Sequence, residues 1–171
     1  QIYTDIFGLT ATEFTICFAI IAGAMSIATF TNSTLVEKLG QRLISHTAII
    51  GFTLGALVLT LTTIFMGPNL YVFMAMFCLV FMNFGFMGPN FNSMAMEPLG
   101  NVAGYASGVL GFASTTMAAL IGGSIAHQYN GSMVPVLWGF VILGATSLVI
   151  VFVTERFSLF GAKDVEASNQ L

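Results

Sequence analysis

Five apolar runs, each long enough to cross a bilayer, follow one another along the chain with only short polar breaks between them. They extend from about Ala11 to Val36, Ile44 to Met66, Leu70 to Met96, Val102 to Tyr129 and Met133 to Thr154. Crossing about 30 Å of hydrocarbon takes about 20 residues at 1.5 Å each. There, every backbone N–H and C=O must be satisfied within the protein, which makes runs of this length helices. The expected fold is an all-α integral membrane protein with five transmembrane helices. A soluble bundle does not fit: 57% of residues are hydrophobic and only 6% charged, against about a quarter charged in soluble domains. The breaks "GPN" (Gly67 to Asn69), "EPLGN" (Glu97 to Asn101) and "NGS" (Asn130 to Ser132) are turn sequences. Neighbouring spans are therefore expected to be antiparallel, with no soluble domain between them.

Once the spans alternate, the four basic residues Lys38, Arg42, Arg156 and Lys163 fall on one side. That side is expected to be cytoplasmic, with the N-terminus outside and residues 155–171 forming a cytoplasmic tail. The four tyrosines, Tyr3, Tyr71, Tyr105 and Tyr129, lie near span ends, as an aromatic belt requires. A formal net charge of −3 without a basic patch makes nucleic acid an unexpected partner. An odd number of spans starting outside, preceded by "QIYTDIFGLT" with neither the basic start nor the apolar core of a signal peptide, leads us to expect a longer protein of which this is part. Cys17 and Cys78 read as buried thiols. His46 and His127 lie near opposite ends of their spans and read as solvated or capping. No metal or other cofactor is expected.

The third span concentrates the chemistry. It holds six of the ten methionines and six phenylalanines, and Asn83 lies at its middle. Asn83, Met87, Asn90 and Met94 recur at helical spacing on one face. Two readings stand. Asn83 bonds a neighbouring helix and holds the bundle together, or the stripe faces a water-filled cavity in which Asn83, Met87 and Asn90 touch an apolar ligand. Gly88 and Pro89 interrupt this helix, because Pro89 cannot donate to the carbonyl four residues back; a kink or hinge is expected. The fourth span carries a small-residue stripe, Gly104, Gly108, Gly111, Thr115, Ala118 and Gly122, for close approach of another helix, either static or sliding. Gly51 and Gly55 form a shorter pair, best read as static packing. Thr10 and Glu13 read as a capping box. No acid or base sits mid-span, so an enzyme is not expected and proton coupling is not expected to originate here.

The segment from Glu37 to Arg42, "EKLGQR", looks like the acid-basic-x-Gly-x-basic core of a loop in the major facilitator superfamily, with Ser33 in place of the leading Gly and Gln41 in place of one base. "GPNFNSMAMEPLGNVAGYASGVLGF" (Gly88 to Phe112) and "YTDIFGLTATEF" (Tyr3 to Phe14) resemble the second half of Bcr/CflA-type drug-resistance transporters. The resemblance implies that residues 1–171 are the C-terminal lobe, helices eight to twelve of a twelve-helix fold, with the N-terminal lobe missing. It implies drug:proton antiport across a bacterial inner membrane, exporting hydrophobic or amphipathic compounds by alternating access. The partners expected are the lipid bilayer, the missing lobe, a small apolar or amphipathic substrate and the proton. It makes Glu37, Gly40 and Arg42 a cytoplasmic latch, with Glu97 within plausible reach. A facilitator of sugars, nucleosides or peptides, and a non-transporting membrane scaffold, stay open as alternatives. A sugar site would want more amides and indoles than a chain whose one tryptophan is Trp138.

Overall fold

The computed structural model describes residues 1–155 and Phe160. Arg156 and Lys163, two of the chain's four basic residues, and most of the expected tail lie outside those residues. Five helices follow in order: α1 (Ala11–Leu39), α2 (Gln41–Met66), α3 (Leu70–Met96), α4 (Ala103–Ala126) and α5 (Val134–Thr154). There is no strand among the described residues. The protein is an all-helical, multi-pass membrane protein, its helices long and apolar enough to cross a bilayer.

Local chemistry explains the helix ends. Thr10 Oγ1 accepts from the Glu13 amide at 3.3 Å while the Glu13 carboxylate accepts from the Thr10 amide at 2.8 Å, so the expected capping box forms. Asn69 Oδ1 accepts from the amides of Tyr71 and Val72 at 3.0 and 3.2 Å and starts α3. Gly40 alone separates α1 from α2, at φ 77, a conformation that only glycine adopts without strain. "EPLGN" departs from expectation. Instead of a turn, a 3₁₀ segment (Glu97–Val102) carries the chain from α3 into α4, so helical character runs from Leu70 to Ala126. Pro98 at the start of that segment suits helical φ, and the bend falls at Leu99, φ −108 and ψ 15.

α3 packs between α1 and α2, and α2 packs between α3 and α5. α4 stands aside: of its residues only Ala106 is buried. The two ends of the bundle are fixed by contacts. At one end, here the Gly40 end, Gln41 Nε2 donates to Ser93 Oγ at 3.0 Å and Arg42 pairs with Glu155 at 3.3 Å, joining the start of α2 to the ends of α3 and α5. At the opposite, Gly67 end, a π-helical turn (Ile2–Ile6) lays Tyr3 and Phe7 on Phe73, with ring centroids 5.8 and 5.5 Å apart. Burial there pushes the Tyr3 hydroxyl up to about 12. Two apolar clusters fill the bundle. Ala48, Ile49, Phe52, Val80 and Met87 lie towards the Gly40 end, and Leu59, Phe73, Met133 and Leu137 towards the Gly67 end.

Candidate functional site

The junction of α1 with α3 holds the polar groups that the bilayer makes most costly to leave unpaired. Pro89 has no N–H, so the carbonyl of Gly85, four residues back, loses its helical donor. Thr29 of α1 supplies one: its hydroxyl lies 3.2 Å from the Gly85 oxygen and 3.0 Å from the Met25 oxygen of its own helix. α1 reaches Gly85 because that residue has no side chain. A Cβ there would sit 2.6 Å from the Met25 carbonyl and 3.0 Å from the Ala28 Cβ. One further turn towards the Gly40 end, Asn32 and Asn90 exchange hydrogen bonds, Nδ2 to Oδ1, at 3.1 and 2.8 Å. Both amides are at least 96% buried, and Asn90 Nδ2 also donates to the Phe86 oxygen at 3.0 Å. α3 remains helical through Gly88 and Pro89, both exposed, so the break in hydrogen bonding is absorbed by α1 and not by an opened turn.

The expected stripe of Asn83, Met87 and Asn90 does not converge on one cavity. Asn83 Nδ2 donates at 2.8 Å to the Leu79 oxygen of its own helix, and its Oδ1 lies over Gly51 of α2, where a Cβ would collide with it. Asn90 is held by Asn32. α1 and α2 flank α3, and the two amides meet different ones, Asn90 the first and Asn83 the second, with Asn83 still part-exposed. Gly51 and Gly55 act as a close-approach pair, the second beneath Val80 at 3.1 Å. Of the three, Met87 lines the apolar cavity among α2, α3 and α5, and Asn83 and Asn90 do not.

That cavity, of about 490 Å³, lies among α2, α3 and α5. The rings of Phe52, Phe81, Phe84, Phe91 and Phe140 line it with Met87, and Ser147 is the one hydroxyl-bearing residue among the described residues of its wall. Gly144 brings α5 against α2, since a Cβ there would lie 2.5 Å from Thr53 Oγ1. Towards the Gly67 end an aromatic train closes the cavity: Phe73 stacks on Phe77 at 4.9 Å, and Phe77 and Phe81 each meet Phe140 edge-on at 5.9 and 6.3 Å. The sequence does carry a signal for this wall. Phe77, Phe81, Phe84, Gly88 and Phe91 recur three and four apart, one stripe around the helix from Asn83, Met87 and Asn90.

The latch residues gather at the Gly40 end around a hollow lined by Glu37, Gly40, Gln41, Arg42, Ser93, Met94 and Glu97. Glu97 is within this cluster, but among the described residues the carboxylate paired with Arg42 is Glu155, and that pairing ties α2 to the end of α5. His46 is not solvated. It is 1% exposed, and its Nδ1 accepts from the Phe160 amide at 3.2 Å. Arg42 and Glu155 remain about a quarter exposed, where such a pair contributes about 0–1 kcal/mol. Arg42→Ala should therefore change stability little, whereas Arg42→Glu sets two carboxylates face to face. Adding Glu155→Arg should restore the melting temperature lost by Arg42→Glu; failure of that rescue would remove the pair from the account.

On α4, Gly104, Gly108, Gly111, Thr115, Ala118 and Gly122 are all exposed, and a Cβ at any of the four glycines would meet nothing within 4 Å. The stripe has no partner among the described residues. Contact with α5 occurs at the Gly67 end, where a Cβ at Gly139 would lie 2.6 Å from the Ile125 side chain. Comparison of the chain with protein-family models, with curated proteins and with solved structures finds no match.

Proposed function

We propose that this chain is one lobe of a membrane transporter, resembling the C-terminal half of a major facilitator drug:proton antiporter, and that it contributes to export of apolar or amphipathic compounds. The observation that carries the proposal is the construction of the α1–α3 junction. A lobe that rocks must let helices shift in hydrocarbon while stranding few polar groups. When α1 and α3 part, the Thr29 proton can move to Met25 and Asn90 keeps Phe86, so two of the three donors retain an acceptor on their own helix, while Asn32 and the Gly85 oxygen lose theirs and favour return of the closed junction. The unpartnered small-residue face of α4 supports a second lobe packing there. In this proposal the Gly40 end faces the cytoplasm of a bacterium, where Lys38 and Arg42 lie, and the protonated carboxylate belongs to the other lobe.

A second reading has an observation in its favour. Asn83 and Asn90 are both satisfied within the chain, as in a scaffold that moves nothing. One experiment separates the two. In the full-length protein with Cys17 and Cys78 replaced by Ala, Asn32→Cys and Asn90→Cys are joined by a short bifunctional thiol reagent that a reductant cleaves. A transporter should lose export on cross-linking and regain it on reduction. Export that is indifferent to the link, or absent from the cysteine-free parent in which Asn32 and Asn90 are intact, would decide for the scaffold.

A further inference from the structure

We infer that the cavity among α2, α3 and α5 is a binding site for an uncharged, ring-bearing small molecule taken from the bilayer.

Access is lateral. No Cα of α3 lies within 8 Å of a Cα of α5, so α2 forms a floor and the gap opens sideways. Phe84 and Ile150, 49% and 59% exposed, mark the mouth on its two sides. Towards the Gly67 end the contact of Phe81 with Phe140 shuts the space, and towards the Gly40 end Gln41 ties the start of α2 to Ser93 of α3 while Arg42 ties it to Glu155 after α5. The cavity lies within the length of a membrane-spanning helix: its α3 wall runs from Phe81 to Phe91 and stops five residues short of the helix end at Met96.

The lining selects the chemistry. Among the described residues no Asp, Glu, Lys, Arg or His lines the cavity, so an ion there would shed its hydration with nothing in this wall to replace it. Five phenylalanine rings and the Met87 thioether give an aromatic guest edge-to-face and sulfur contacts that lipid tails do not offer. An acyl chain gains no such advantage, because the surrounding bilayer is as apolar as the wall. Ser147 supplies one hydroxyl, enough to orient a single ether or carbonyl oxygen. The volume, about 490 Å³, falls within the range of small-molecule sites.

Gly88 lies in the wall, and a Cβ there would meet nothing within 4 Å, so a side chain can enter the cavity without displacing an existing group. The test uses the whole chain in phosphatidylcholine nanodiscs with a neutral naphthyl azide as photoprobe. Labelling of Met87 and its neighbours should saturate and be displaced by excess naphthalene, but not by hexadecane or by tetraphenylphosphonium. Gly88→Phe and, from the opposite wall, Ser147→Phe should each lower the saturable labelling about tenfold, while Gly88→Ala keeps it and all three retain the parent helical content. Unsaturable labelling, equal displacement by hexadecane, or labelling unchanged in both Phe variants would overturn the site. The inference leans on the transport reading only for the fate of the guest. Saturable labelling in a protein whose export ignores the α1–α3 cross-link would leave a binding site without a transporter, and the reverse result a transporter that binds elsewhere.

Discussion

Gly85→Leu is expected to separate α1 from α3, and Gly88→Leu, three residues further along the same helix, to leave the bundle intact. At Gly85 the added carbon meets backbone, the Met25 carbonyl at 2.6 Å, together with the Ala28 Cβ and the Thr29 hydroxyl. Backbone cannot rotate away as a side chain can, so α1 must move bodily. That movement also takes Thr29 from the Gly85 oxygen, leaving a carbonyl that Pro89 has already deprived of its helical donor. Overpacking costs about 1–3 kcal/mol, and an unsatisfied buried acceptor adds about 1–3 kcal/mol. Even Gly85→Ala should carry most of the steric part. The measurement is unfolding in detergent by tryptophan emission from Trp138 and by circular dichroism. A Gly85→Leu protein as stable as its parent would mean that α1 does not lie where it is described.

Asn90→Leu is expected to destabilise more than Asn32→Leu, although each removes half of the same pair. Losing Asn90 strands Asn32, a residue 4% exposed whose amide bonds to Asn90 and to no other described residue. Losing Asn32 leaves Asn90 one donor bond, to Phe86. Side-chain bonds between membrane helices average about 0.6 kcal/mol and reach about 1.7, while an abandoned buried amide costs about 1–3 kcal/mol. Asn90→Leu should thus cost about 2 kcal/mol and Asn32→Leu about half of that. The double variant should be no worse than Asn90→Leu alone, because two apolar side chains abandon nothing. Additive losses, or a larger loss for Asn32→Leu, would contradict the described geometry.

Span positions, the Thr10–Glu13 cap and the Gly51–Gly55 approach were legible because each is decided within one helix or one short segment: by the length of an apolar run, by a four-residue box, by two glycines one turn apart. The site was legible only in part. In a soluble protein the polar face of a helix marks the outside, but here both the outward and the inward faces of α3 are apolar, so periodicity finds stripes without saying what each one meets. Asn83 and Asn90 were visible as a stripe, yet the helices that satisfy them were not. The Phe81, Phe84 and Phe91 wall has the same period and reads equally well as lipid-facing surface. Gly85 and Gly88 are the same residue in sequence, and only the nearness of Met25 distinguishes the crowded one from the open one. Asn32 lies so close to the Gly40 turn that its burial against α3 has no local signature.

The Gly85 carbonyl also offers a way to observe the junction at work. It lacks the helical partner its neighbours have, and one hydroxyl, that of Thr29, holds it from across a helix boundary. A single isotope-edited ¹³C=¹⁸O label at Gly85 would move its stretching band clear of the remaining amide absorption. The frequency of that band should rise whenever Thr29 lets go and fall whenever it returns. In Thr29→Val, nearly the same shape without the proton, the band should be pinned at the unbonded position. Infrared spectroscopy in native lipid would then read the separation of α1 from α3 from the pitch of one bond, without a dye, a cross-link or a cysteine.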